Sequence, residues 1–154
     1  MSDYYADSSA LVKRHIPEIG STWLQELTDQ VVGNTIITAR VSMVEVYSAL
    51  NRRIREATLG TVDYARLVSD FNALCVTQYT LVELTAPIVD RAQLLLEHHP
   101  LRAYDAVHLA TALIANETLV AAGLPALTLL SADNRLLDAA QTAGLATDNP
   151  NAHP

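Results

Sequence analysis

The chain has 154 residues, half of them apolar, with a formal charge of −7. That length suits one domain with a real core, and no apolar run approaches the roughly 18 residues needed to cross a bilayer. The start Met1-Ser2-Asp3-Tyr4 lacks signal-peptide features, so a cytoplasmic protein without membrane association is expected, and its acidity speaks against a sequence-independent nucleic-acid coat.

A short strand is expected at residues 3–7, running into a helical turn at Ser8–Val12, with a break at Pro17. Ser21 to Gln30 has helical periodicity, with Trp23, Leu24 and Leu27 on one face. Thr35-Ile36-Ile37-Thr38 is β-branched and suits a strand. A long helix follows from about Arg40 to Ala57, ended by Gly60. Its apolar face is defined by Val41, Val44 and Ser48, with Glu45 at the edge. Another helix covers 61–78, with Leu67, Phe71 and Leu74 at helical spacing and Cys75 as a small buried hydrophobe. Residues 79–84 form a strand candidate, and Pro87 fits the first turn of the next helix, which ends near His98 and His99. The remaining expectations are a helix at 103–118, a strand at 127–131, a helix at 133–143 and a strand at 145–147. Residues 1–148 are read as one domain and 149–154 as a short tail.

Strands that alternate with helices require crossover connections, hence a mostly parallel sheet covered on both faces. Ligands in such sheets bind beyond the carboxyl ends of the strands. Asp7 and Asp133 both fall there.

These two belong to a set of four carboxylates beside apolar runs: Asp7, Glu45, Asp105 and Asp133. A buried acid without a partner is costly, and a hard divalent cation held by oxygen would compensate four of them at once. Taken singly, Asp7 and Asp133 are also plausible helix caps, and Asp105 also suits the positive end of its helix. Glu45, mid-helix beside an apolar face, is harder to explain without a function. His108 reads as a hydrogen-bonded structural residue rather than a metal ligand, having no second His at zinc-like spacing. Asp138 reads as solvated surface.

Five segments in order resemble the PIN-domain family, and within it the VapC-type toxins of bacterial toxin–antitoxin pairs. They are Tyr5-Ala6-Asp7-Ser8-Ser9-Ala10-Leu11-Val12-Lys13, Ser42-Met43-Val44-Glu45-Val46, Tyr104-Asp105-Ala106-Val107-His108-Leu109-Ala110-Thr111-Ala112, Ser131-Ala132-Asp133-Asn134-Arg135-Leu136, and Gly144 to Pro150. The resemblance implies a three-layer α/β/α sandwich with a mostly parallel sheet. It implies an acidic pocket binding Mg²⁺ or Mn²⁺, endonucleolytic cleavage of RNA, a homodimer, and inhibition by a cognate antitoxin. Asp7, Glu45, Asp105 and Asp133 match the family's acidic positions, the fourth of which varies most, and Ser9 matches a position whose hydroxyl lies near the metal.

Nine of the ten basic residues are Arg, and Arg52, Arg53 and Arg55 fall within four positions. They suit planar contact with phosphate and equally a solvated helix end. Lys13, Arg14 and this triplet are the candidates for holding RNA phosphates. Two other readings stand beside the nuclease. One is a PIN-like fold kept only for partner binding. The other is an aspartate-nucleophile phosphohydrolase, which is poorly matched because Ser9 stands where a second Asp is needed and Lys13 is the only lysine.

Overall fold

The computed structural model describes residues 1–154. Five strands, β1 (Asp3–Ala6), β2 (Thr35–Ala39), β3 (Tyr79–Val82), β4 (Thr128–Leu130) and β5 (Ala146–Asp148), alternate with seven α-helices. The helices are α1 (Ser8–His15), α2 (Ser21–Leu27), α3 (Val41–Arg55), α4 (Thr61–Thr77), α5 (Ala86–His98), α6 (Ala103–Ala121) and α7 (Asn134–Thr142). The sheet order is β3-β2-β1-β4-β5, and every pairing is parallel.

Because successive side chains in a strand face opposite ways, neighbouring residues feed two cores. Tyr5, Ile37 and Leu129 pack with Ile88, Leu109 and Leu136 from α5, α6 and α7. Ala6, Ile36 and Leu130 pack with Leu11, Leu24, Leu50 and Phe71 from α1 to α4. The result is the expected three-layer α/β/α sandwich. None of its helices is long and apolar enough to cross a membrane.

Connections from β1 to β3 step outward in one direction, whereas the connection from β3 crosses back to place β4 on the other side of β1. The carboxyl ends of β1 and β4 therefore flank a topological switch point, where crossovers diverge and leave a crevice.

Several local expectations are corrected. The buried face of α3 is Ser42, Val46 and Leu50, not Val41, Val44 and Ser48. Val44 is 67% exposed. Ser42 tolerates burial because its hydroxyl is 2.7 Å from that of Thr38, which also donates to the Ala6 carbonyl at 2.7 Å. Gly60 does not end α3. The helix stops at Arg55 and the following Ala57 takes positive φ (56°), while Gly60 is extended and precedes α4. Helix α2 ends at Leu27, three residues early, where the Thr28 hydroxyl turns back onto the Leu24 carbonyl at 2.7 Å. Cys75 is buried and unpaired.

The closing residues pack onto α2. Pro150 is buried in a 3-10 turn (Pro150–Ala152), and the His153 ring stacks on Trp23 at 4.0 Å. Gly20 (φ 84°) permits that approach, since a Cβ there would lie 2.0 Å from the Pro150 carbonyl oxygen.

Candidate active site

Asp7 follows β1 directly, its backbone N–H still paired to the Leu130 carbonyl of β4. It caps α1 as well: Oδ1 accepts from the Ala10 N–H at 2.9 Å and the Ser9 hydroxyl at 2.7 Å. Oδ2 accepts from Ser131, just beyond β4, at 2.6 Å. Three donors thus hold a carboxylate that is only 4% exposed. Burial still pushes its pKa up, against the lowering effects of His108, Ser131, Ser9 and the Ala10 N–H.

Asp133 caps α7, with Oδ1 accepting from the Arg135 N–H at 2.8 Å, and its own N–H donates to the Ser131 hydroxyl at 3.0 Å. Asp105 occupies the first turn of α6 and is partly buried. Its carboxyl is pushed up by burial and then by the charges of Asp133 and Asp7. Two acids that lie just beyond β4 and β1 thus act on a third from α6. Glu45, on the flank of α3, accepts from His108 Nε2 at 2.6 Å on Oε1 and from the Ser8 hydroxyl at 3.1 Å on Oε2.

All four acids line one cleft of about 650 Å³, together with Ser8, Ser9, Lys13, Arg52, Arg53, Arg102 and Tyr104. Asp7 and Asp133 cap helices and also face this cleft, so the two roles coexist.

The cationic candidates divide. Arg52 lines the cleft and makes no ion pair. Arg53 lines it too but is paired with Glu18, which also holds the buried Lys13 at 3.0 Å. Lys13 further donates to the Ile19 carbonyl, so its charge is already engaged. Arg14 is misplaced as a phosphate contact: it donates to the Thr28 carbonyl and borders a separate depression with His15 and Asp70. Arg55 lies outside the cleft, exposed at the end of α3.

Four contributors escaped the sequence reading. Ser131 and Ser8 have acidic partners 124 and 37 residues away, which no local pattern marks. Arg102 and Tyr104 stand beside Asp105 at the mouth of the cleft, and proximity to that acid was the one available signal. His108 is 1% exposed and bridges Glu45 to the Tyr5 hydroxyl, which lies 2.8 Å from Nδ1. Burial alone would lower its pKa, but the bond and charge of Glu45, then Asp7 and Asp105, outweigh that and raise it. Tyr5 is pushed well above the usual phenol range by burial and by Asp7, so it keeps its proton.

The donor set fits a hard cation. It is all carboxylate and hydroxyl oxygen, and the upward pKa shifts of Asp7 and Asp105 mark negative charge that the protein leaves partly uncompensated. No three acidic or imidazole groups already stand at the spacing of a closed coordination sphere. An ion in this cleft would therefore have to complete its shell with water, as Mg²⁺ commonly does when one or two carboxylates hold it.

An all-parallel α/β/α domain with a carboxylate-lined cleft at its switch point belongs to the class of open α/β proteins that bind their ligands beyond the carboxyl ends of the strands. The PIN domain family model matches residues 4–141. "Ribonuclease VapC45" and "Ribonuclease VapC49" from two strains of Mycobacterium tuberculosis are each 34% identical to it over 140 residues, 91% of this chain and 90% of theirs. This chain belongs to the PIN-domain family. Among solved structures, FitAcB from Neisseria gonorrhoeae superposes with a TM-score of 0.67 at 14% identity, covering 96% of this chain and 97% of that one. VapC20 from M. tuberculosis, described as a sarcin–ricin loop cleaving toxin, superposes with a TM-score of 0.62 at 16% identity, covering 98% and 99%.

Proposed function

We propose that this protein is an endoribonuclease, the toxin of a toxin–antitoxin pair, which hydrolyses RNA phosphodiester bonds with Mg²⁺ or Mn²⁺ held in the acidic cleft. The observation that carries this reading is that four acids from four separate parts of the chain line one cleft, beside two arginines without ion pairs. The curated relatives named ribonucleases, which align over nine-tenths of the chain, support the same activity.

Asp7, Glu45 and Asp105 are assigned to hold the ion, directly or through water, with Asp133 in support. When bound, such an ion makes hydroxide available near neutral pH and offsets the charge that builds on the phosphate. Ser9 and the Ala10 N–H donate to Oδ1 of Asp7 and Ser131 to Oδ2, which fixes the carboxylate and leaves one lone-pair site without a protein donor. Arg52 and Arg102 suit the phosphates that flank the cut, since guanidinium groups bind phosphate in a planar, bidentate manner. The half-exposed Tyr104 ring at the mouth offers a face on which a splayed base can stack.

We further infer regulation by a cognate antitoxin. The solved neighbours include a toxin–antitoxin complex from Klebsiella pneumoniae, one chain of which has the same fold as this one. Homodimer formation is part of the same reading; Val89, Leu94 and Leu96 of α5 are exposed apolar residues available to it. The phosphohydrolase alternative gains nothing, because Lys13 is tied to Glu18 and the Ile19 carbonyl. The intact acidic set argues against a silent partner-binding fold. Incubating purified protein with total RNA and Mn²⁺, beside an EDTA control, tests the reading. Discrete fragments in the Mn²⁺ lane alone are expected, and RNA left intact in both lanes refutes it.

A further inference from the structure

We propose that His108, itself held by Tyr5, is a positioning residue that sets the Glu45 carboxylate before metal or RNA arrives. This deepens the acidic-cleft reading and rests on it. Tyr5 and His108 are 0% and 1% exposed, packed edge to face with ring centroids 5.9 Å apart. If the imidazole served only to satisfy the buried phenol, one nitrogen would suffice. The other nitrogen instead reaches the cleft wall and meets Glu45 Oε1 at 2.6 Å.

The proton positions follow from the partners. An ionised carboxylate only accepts, so Nε2 carries hydrogen whatever the charge of the ring. In the neutral ring Nδ1 then accepts from the Tyr5 hydroxyl, which fixes both tautomer and ring plane. Glu45 needs such help. It has a long side chain on the flank of a helix, whereas Asp7 and Asp133 are clamped by their own helix caps. With the Ser8 hydroxyl on Oε2 and His108 on Oε1, each oxygen has one donor and keeps a lone pair for an incoming group. The same two elements serve twice: β1 leads into Asp7 and carries Tyr5 two residues earlier, and α6 carries Asp105 and His108 three residues apart. Partners that orient a metal-binding side chain in this way typically matter 10–100-fold in metal affinity.

The test uses ¹⁵N-labelled full-length protein and Mg²⁺. In the wild type, a slowly exchanging downfield His108 Nε2–H resonance is expected, moved upfield in Glu45→Gln, whose neutral amide oxygen accepts more weakly, lost in Glu45→Ala, and shifted by Mg²⁺. Calorimetry with Mg²⁺ should give about 10–100-fold weaker binding for His108→Leu. His108→Gln, which keeps an N–H donor towards Glu45, should recover most of that loss. Tyr5→Phe removes one hydroxyl one step further from Glu45, and its loss of affinity, expected at or below the lower end of about 10–100-fold, carries the test if His108→Leu folds poorly. Wild-type Mg²⁺ affinity in His108→Leu or Tyr5→Phe overturns the proposal, as does a His108→Gln variant no better than the leucine. The two failures are separable. A missing resonance in a protein that binds Mg²⁺ overturns the positioning role alone, whereas a resonance indifferent to Mg²⁺ overturns the metal reading and this inference with it.

Discussion

Replacing Asp7 by asparagine removes the most deeply buried charge of the cleft while keeping its shape. The amide oxygen can still accept from the Ala10 N–H and the Ser9 hydroxyl, but the amide nitrogen cannot accept from Ser131, so the 2.6 Å bond is lost as it stands. A bond to a charged group contributes about 1.5–3 kcal/mol. Against it stands the cost of holding a carboxylate out of water, several kcal/mol per ion, and the upward pKa shift of Asp7 says that this cost is the larger. Without metal the variant should therefore melt at the wild-type temperature or a few degrees higher. With Mg²⁺ at 100 times its dissociation constant the wild type gains about 2.7 kcal/mol, which for 154 residues is about 5–11 °C. A 100-fold weaker site gains only about 0.4 kcal/mol at the same concentration. Thermal melts of both proteins in EDTA and in Mg²⁺ measure all four values. An Asp7→Asn protein that melts well below wild type in EDTA and rises equally in Mg²⁺ would refute the reasoning, since the charge would then be structural and not a metal anchor.

The same pair of proteins has a signed pH dependence. Asp7 holds its proton to higher pH when folded than when unfolded, so its charge destabilises the metal-free wild type as pH rises past the ordinary carboxylate value of about 4. The melting advantage of Asp7→Asn in EDTA should be absent near pH 3.5 and open towards pH 7; an advantage that shrinks over that range contradicts the shift. Ser131→Ala, at a fully buried position, removes the donor to Asp7 and the acceptor of the Asp133 N–H. Urea denaturation should show a loss of about 1–3 kcal/mol, and unchanged stability would mean that these short contacts contribute nothing. Gly20→Ala forces a side chain onto the Pro150 carbonyl at positive φ, a backbone strain of about 1–2 kcal/mol before any displacement. Trp23 emission should change as His153 leaves its ring, and unaltered emission with unaltered melting would show that the closing residues do not need that packing.

Much of the architecture was legible in the sequence because parallel α/β folds write it in alternating blocks. Strands ending at Ala6 and Leu130 put Asp7 and the Ser131–Asp133 segment at one sheet edge without any knowledge of contacts. The face of α3 was not legible, for a physical reason. Ser42 is buried because Thr38 satisfies it, and Val44 is exposed beside the cleft, so polarity and burial are exchanged on that helix. The end of α3 was missed because an alanine, not a glycine, takes the left-handed position. Charge alone also could not sort the basic residues, since Lys13 and Arg53 share Glu18, Arg14 faces Thr28, and Arg102 stands apart from any basic cluster. The Tyr5–His108–Glu45 chain spans 103 and 63 residues in its two links, a separation that no local pattern records.

Cleavage of an end-labelled RNA by the purified protein in Mg²⁺ or Mn²⁺, run beside EDTA and beside Asp7→Asn, puts metal, cleft and activity in one assay. Internal cuts that vanish in both controls are expected. The new ends should carry linear phosphate without a 2′,3′-cyclic phosphate, because water and not the ribose hydroxyl attacks the phosphorus. Cleavage that survives EDTA, or that Asp7→Asn performs as well as the wild type, would contradict the proposed function.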